Sequence, residues 1–229
     1  MNHALIETDT YQNARAAYTS GNFSEAYKIW LELAEAGDAD SQAWIGSLYA
    51  NGEGVDLSDE KAFYWYFLAA KQNNYMAQSN IGAFYFMGRG VEKNVIEAVY
   101  WLSKSAEAGD LNSQFNLAVI YSKGDGVEED HEKAAALYRM ASEMGHYPSQ
   151  SRLGYCYAHG KGVLKDRVQA YLWLSLAAQH GIGTALEALE SVVKDMSLEE
   201  KTLGASLFEE WRTRTKSREG QLALNPTPN

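Results

Sequence analysis

The sequence repeats itself every 36 residues over four consecutive copies, and this regularity limits the possible fold more than any other feature. Each copy carries a glutamine, then an isoleucine or leucine followed by a small residue, then a tyrosine and a Gly-x-Gly-Val segment. A single copy is too short to bury its own apolar residues, whereas stacked copies bury them jointly. The period therefore predicts an array of similar units. The aligned columns are Gln42/78/114/150, Ile45/Ile81/Leu117/Leu153, Gly46/Gly82/Ala118/Gly154 and Tyr49/85/121/157.

Two helices are predicted in each copy. In the first, helix A, the core residues recur at i, i+3, i+4 and i+7, as in Gln78, Ile81, Gly82 and Tyr85. The small residue in the middle of this series should let the neighbouring helix approach closely. The second, helix B, has the same spacing from Ala62 to Ala69. Each copy is thus expected to form an antiparallel helical hairpin.

Two motifs in the repeat are typical of other chemistry. Gly-x-Gly occurs in dinucleotide-binding loops, but there it follows a strand, whereas Gly52 and its equivalents follow a helix and fit the left-handed position that ends it. Ser58-x-x-Lys61 matches the nucleophile motif of β-lactam-processing enzymes. Shifting by one period replaces Ser58 with Asn94, Asp130 or Asp166, all of which are N-cap residues. Both motifs are therefore predicted to be structural.

The composition limits the function. With a net charge of −10 the chain is not expected to bind nucleic acid, because such surfaces carry excess Lys and Arg. Cys156 is the only cysteine, so no intramolecular disulfide can form. The five histidines show no metal-ligand spacing. We expect no metal, no cofactor and no catalytic residues. The polar N-terminus and the absence of a long apolar run predict a cytoplasmic protein that does not insert into a membrane.

The repeated motif, together with Ala-x-x-Trp in helix B, resembles the Sel-one-like repeat, a branch of the tetratricopeptide-like solenoids. The resemblance implies an all-α fold, a right-handed superhelical solenoid of helix-turn-helix repeats. It also implies a non-catalytic adaptor or scaffold whose partner is another protein or a peptide segment. Departures are Ala118 in place of glycine, Leu137 in place of Trp, and Asn73-Asn74 in place of the Ala-Gly that ends helix B. The oligomeric state stays open.

The segments outside the four repeats differ from them. We predict a flexible N-terminus at 1–9, a tetratricopeptide-like unit at 10–37, the four repeats at 38–181, capping helices at 182–214 and a disordered tail at 215–229. Within the capping segment, Ser197 and Glu200 form the pattern of a capping box that opens the last helix.

The residues that vary between copies are candidates for partner binding. One face of helix A, about 100° from its core stripe, is expected to line the concave side of the solenoid, and its residue types change from copy to copy. Inter-helix packing would be an alternative role for them. An adjacent line of polar residues could bond a peptide backbone or a carboxylate. The predicted partner-binding groove consists of Met76, Asn80, Phe86, Met87, Phe115, Asn116, Val119, Arg152, Tyr155 and His159.

Three functions fit these features. The leading one is an adaptor that holds a partner in the groove. The second is an immunity or inhibitor protein that occludes one effector. The third, a serine-dependent β-lactam-processing enzyme, would depend on Ser58.

Overall fold

The computed structural model describes the backbone of residues 2–224 and the side chains of residues 10–215. All regular secondary structure in this part of the chain is α-helical, as the repeat predicts. Short turns and loops join the helices. They are α1 (Asn2–Thr19), α2 (Phe23–Glu35), α3 (Ala39–Asn51), α4 (Asp59–Lys71), α5 (Tyr75–Met87), α6 (Val95–Glu107), α7 (Leu111–Lys123), α8 (His131–Glu143), α9 (Tyr147–His159), α10 (Arg167–Gln179), α11 (Gly183–Lys194) and α12 (Leu198–Leu224).

The described residues form two compact units, whose boundary falls within α7. The N-terminal unit extends to Leu117 and includes Asp125–Val127, and the C-terminal unit comprises Ala118–Gly124 and the chain from Glu128 onwards. In the four repeats α3, α5, α7 and α9 are the A helices, and α4, α6, α8 and α10 are the B helices. The all-α helical repeat fold is therefore confirmed.

Small residues in the A helices allow close packing within each hairpin. A Cβ placed on Gly82 of α5 would lie 2.5 Å from Cγ of Leu102 in α6. A Cβ placed on Gly154 of α9 would lie 2.6 Å from Cγ of Leu174 in α10. Real Cβ atoms do not approach other carbons this closely, so both positions admit a glycine and no larger residue without movement of the partner side chain. The expected role of Gly82 is confirmed.

The two glycines of each Gly-x-Gly loop have different structural roles. The first ends helix A with a left-handed backbone, with φ of +70° at Gly52 and +72° at Gly88. The second also has a positive φ and packs against the start of the preceding helix B. A Cβ on Gly90 would collide with the backbone of Asp59 at the start of α4, and one on Gly162 with that of His131 at the start of α8. The loop is thus a packing element between successive repeats.

The repeated glutamine connects each helix A to the helix B before it. Its amide nitrogen donates to the backbone oxygen eight residues earlier, from Gln42 to Ala34 at 3.0 Å and from Gln150 to Ser142 at 3.2 Å. Both carbonyls also accept a backbone N–H in the turn, from Gly37 at 3.1 Å and from Gly145 at 3.0 Å, so the glutamine supplies a second hydrogen bond to each oxygen. The bond explains why a polar residue recurs at a buried position of every repeat.

The end of α4 differs from the ends of the other B helices. The sequence predicts that Asn73-Asn74 replaces the Ala-Gly pair there, and the structure corrects this alignment. Asn73 alone replaces the glycine, with a φ of +65°, which asparagine tolerates better than most side chains. Asn74 instead caps α5 by accepting the N–H of Ala77 at 2.8 Å. Asp38 accepts from Ser41 at the start of α3 in the same way.

Both outer helices are longer than the sequence analysis predicted. Helix α1 begins at Asn2, so residues 2–9 are helical where a flexible segment was expected. Helix α12 continues to Leu224, ten residues beyond its expected end at Arg214. Neither extension contains a proline, so the backbone can continue the helix. The remainder of the expected disordered tail, residues 225–229, lies outside the described residues.

Candidate functional site

Ser58 is an N-cap residue, as the repeat comparison predicted. Its hydroxyl accepts the backbone N–H of Lys61 at 3.3 Å and donates to the Glu60 carboxylate at 3.3 Å. The Lys61 ammonium lies over the ring of Tyr49, 5.1 Å from its centroid. A catalytic pair would instead place the lysine amine within hydrogen-bond reach of the serine hydroxyl. The Ser58-x-x-Lys61 segment therefore has a structural explanation.

Cys156 is buried in α9, and burial raises the pKa of its thiol. Because the thiolate is the reactive form, this environment disfavours nucleophilic chemistry at Cys156. Within the described residues, no group of three or more His, Cys, Asp or Glu side chains could hold a metal ion. The partner-binding surface is the remaining candidate.

Apart from Tyr75 and Tyr147 at the starts of α5 and α9, the exposed residues of the A helices follow one line on each helix. On α5 the line contains Met76, Asn80, Ala83 and Met87, spaced by four, three and four residues, which keeps them on one face. We call the equivalent positions of all four A helices the A-line. Eight of the ten predicted groove residues lie on it, and the other two, Phe86 and Phe115, lie beside it and are half-buried.

In the N-terminal unit the A-line is apolar on α5. Met76 and Met87 expose 51% and 55% of their surface, whereas Ala83 between them is half-buried. The Asn80 amide donates to the backbone oxygen of Met76 at 2.9 Å, which holds the side chain along the helix surface. Asn116, the equivalent residue on α7, is also half-buried. The two methionines therefore form the most accessible part of the predicted groove in this unit.

The positions beside the A-line have a second role. Ser79, beside Asn80 on α5, donates to the Asp110 carboxylate at 3.1 Å and accepts a bond from Ser113 at 2.8 Å. Phe86 is covered by Lys93, whose ammonium lies 5.3 Å from the ring centroid. Packing between neighbouring elements, the alternative left open by the sequence, thus applies to Ser79 and Phe86.

In the C-terminal unit the A-line is cationic and aromatic. On α9, Arg152 and His159 are exposed, and Tyr155 between them exposes 40% of its surface. The Tyr155 and His159 rings stack with their centroids 4.1 Å apart, and the Lys161 ammonium lies 5.8 Å from the Tyr155 ring centroid. Val119, the equivalent of Tyr155 on α7, is half-buried. Lys161 is not among the predicted groove residues, because it lies in the loop beyond the helix and outside the helical pattern.

Asp166 is the single acidic residue between Glu143 and Glu187. That stretch contains α9 and α10 and carries four Lys or Arg residues, although the whole chain has a net charge of −10. Asp166 caps α10 by accepting the N–H groups of Val168 and Gln169. The distribution of charge along the sequence is a signal that could have located this basic hairpin before the structure.

No helix in the described part of the chain combines the length and the apolar character needed to cross a bilayer.

Comparison with known proteins identifies the repeat. Four consecutive segments, residues 39–74, 76–110, 111–146 and 148–182, match the Sel1 repeat model. The crystal structure of a Sel1 repeat protein from Oxalobacter formigenes is 31% identical with a TM-score of 0.68, over 74% of this chain and 49% of that one.

A second solved structure is c5321, a protective antigen present in uropathogenic Escherichia coli strains and displaying an SLR fold. It is 29% identical with a TM-score of 0.78, over 89% of this chain and 44% of that one. This chain therefore spans about half the length of the two solved proteins. No curated protein sequence matches it.

Proposed function

The chain belongs to the family of Sel1 repeat proteins, which generally mediate protein–protein interactions, and on this premise we propose that it is a non-catalytic adaptor that holds a partner protein or peptide along its A-line. The observation that carries the proposal is the exposure of large apolar side chains at positions where the repeat imposes no residue type. Met76 and Met87 of α5 stand where α3 has Asp40 and Asn51.

The physical argument is that these methionines contribute little to the fold. Half of each side chain is in contact with solvent, and burial of such flexible apolar groups by a partner would be favourable. Methionine adapts its shape to irregular surfaces and is frequent at binding sites for helices and extended peptides. The A-line of α5 is therefore the part of the N-terminal unit best suited to receive an apolar partner residue.

The proposal is tested by replacing the exposed methionines and recovering partners from the source organism by affinity purification. We expect the double variant Met76→Ser/Met87→Ser to lose a partner that the parent protein retains. The matched control is Tyr64→Ser/Tyr100→Ser, which removes two side chains of similar exposure, 58% and 49%, from helices B. Equal recovery by both double variants would contradict the proposal.

A second experiment locates the contact without relying on loss of binding. A photo-crosslinking amino acid is placed at Ala83 on the A-line of α5 or at Ala136, an exposed position of α8. We expect the partner to be crosslinked from position 83 and not from position 136. Crosslinking from position 136 alone would assign binding to the B-helix side instead.

A further inference from the structure

We infer that the basic hairpin, α9 with α10, receives an acidic segment of the partner polypeptide. This inference depends on the proposed adaptor function and adds to it the chemistry of one part of the surface. It starts from the charge distribution, because the hairpin is cationic within a chain whose net charge is −10.

The cationic groups of the hairpin are available to a ligand. Arg152 and Lys161 are exposed, and no carboxylate of the described residues lies within ion-pair distance of either one. Arg167, by contrast, is paired with Glu200 of α12 at 3.8 Å. The unpaired cations flank the exposed Tyr155, so charge and an aromatic surface occur together.

The surrounding helices set the length of segment that fits. Helix α10 has no acidic residue, but α8 carries Glu132 and Glu143, and α11 carries Glu187 and Glu190. A long polyanion such as nucleic acid would extend over these carboxylates and be repelled by them. A short run of Asp and Glu side chains would meet the exposed cations of the hairpin, Arg152, Lys161 and Lys165, without extending over these carboxylates. A guanidinium and an ammonium are the protein groups that bind carboxylates most directly.

The aromatic residues favour a polypeptide over a small anion. The stacked pair of Tyr155 and His159 presents a ring surface on which an apolar side chain next to the acidic residues can pack. Lys123 of the C-terminal unit occupies the position equivalent to His159 on the preceding A helix, and it is exposed. The cationic character thus extends along the A-line of this unit, as an extended or helical segment requires.

The inference is tested by selecting binders from a random peptide library displayed on phage, with the full chain as target. We expect the selected peptides to be enriched in Asp and Glu relative to the starting library. A synthetic peptide of the enriched sequence should bind roughly tenfold more weakly to Arg152→Glu/Lys161→Glu, since two favourable ion pairs become repulsive. Its affinity for the parent should also fall as salt is raised, because salt screens exposed charges.

The matched control is Lys28→Glu/Lys194→Glu, which changes the net charge equally at exposed positions outside the basic hairpin. This control should retain the affinity of the parent, and circular dichroism should show that both double variants are folded.

Enriched peptides without acidic residues, or equal binding by both charge-reversed variants, would overturn the acidic-segment inference while the adaptor function stands. Failure to enrich any peptide would contradict the adaptor function itself. Tight binding of a single-stranded RNA probe that is lost on charge reversal would assign the hairpin to nucleic acid instead.

Discussion

Replacement of Gly82 by alanine tests whether close helix packing explains the small residue of the repeat. The new Cβ would lie 2.5 Å from Cγ of Leu102, a residue that is buried. Overpacking of this kind costs about 1–3 kcal/mol. Alanine is favoured over glycine inside a helix by about 1 kcal/mol. The two effects oppose each other, so Gly82→Ala should destabilise the protein by about 0–2 kcal/mol.

The sign of this effect should reverse when the colliding side chain is absent. Leu102→Ala alone should cost about 2–5 kcal/mol, because it leaves a cavity in the core. In that background the collision with Leu102 is removed and the backbone oxygen of Ala98 remains 3.2 Å from the Cβ, so Gly82→Ala should stabilise the protein by up to about 1 kcal/mol. The expected coupling energy between the two substitutions is therefore about 1–3 kcal/mol.

Urea unfolding followed by far-UV circular dichroism measures all four proteins of this cycle. Gly183→Ala is the control, because Gly183 is helical and a Cβ there meets no atom within 4 Å. It should be neutral or stabilising in any background. An effect of Gly82→Ala that is equal with and without Leu102 would refute the packing explanation and leave helix propensity as the sole contribution.

Three further predictions concern other parts of the fold. Both Gly162 and Gly181 have a positive φ, so alanine at either position should destabilise the protein, by roughly 1 kcal/mol at Gly181. Gly162→Ala should cost several times more, because, of these two positions, only Gly162 would bring the new Cβ against a backbone. Urea unfolding midpoints of the two variants test the difference. In a Tyr147→Ala background, His180→Gln should stabilise by about 0.5–1.5 kcal/mol, because it supplies a donor to the buried, unpartnered oxygen of Gln150; an unchanged midpoint in that background would contradict this. Burial raises the pKa of Tyr66 from 10.0 to about 12, so between these pH values the folded state keeps a proton that the unfolded chain releases. The free energy of unfolding should therefore fall as the pH rises from 10 towards 12. Tyr66→Phe should reduce that loss, as measured by urea unfolding at a series of pH values.

The basis for the His180 prediction is a hydrogen bond that occurs in the first repeat. There Gln72 donates to the side-chain oxygen of Gln42 at 2.8 Å and to the backbone oxygen of Gly37 at 3.1 Å. His180 occupies the position equivalent to Gln72, but its ring stacks on Tyr147 with centroids 3.5 Å apart. Loss of that stacking opposes the gain, so the double variant Tyr147→Ala/His180→Gln, compared with Tyr147→Ala alone, isolates the hydrogen bond.

Features that recur in the sequence were predictable because each copy supports the interpretation of the others. Ser197 and Glu200 are not repeated, yet their capping box is also confirmed: the N–H of Ser197 donates to the Glu200 carboxylate at 2.7 Å, and the N–H of Glu200 donates to the Ser197 hydroxyl at 3.1 Å. A cap depends on residues within one turn, so local sequence determines it. The pair Asn94 and Glu97 is only half of such a box, because the Glu97 carboxylate accepts from a tryptophan instead.

The degree of exposure of individual groove residues could not be predicted in the same way. Phe86 and Met87 are adjacent and both apolar, yet Met87 is exposed and Phe86 is half-buried under Lys93. The difference depends on which neighbouring element covers each side of the helix, and helix periodicity alone divides the surface too coarsely to show it. The lysine that covers Phe86 lies in the following loop, outside the helical pattern.

The same distinction explains why the surface can vary while the fold is kept. Gln42, Ser79 and the second loop glycine, all off the A-line, each contact a neighbouring element. Helix α3 is the exception, because its A-line residues Asp40 and Trp44 bond Asn74 at 2.7 Å and Tyr11 at 2.9 Å. On α5 the A-line amide of Asn80 bonds within its own helix. The A-lines of α5 and α9 can therefore be apolar and cationic without changing the contacts made by the off-line residues, and each unit can present different chemistry from an equivalent backbone. This separation is the physical condition that an adaptor built from repeats has to meet, because partner specificity then depends on side chains whose replacement leaves the array folded.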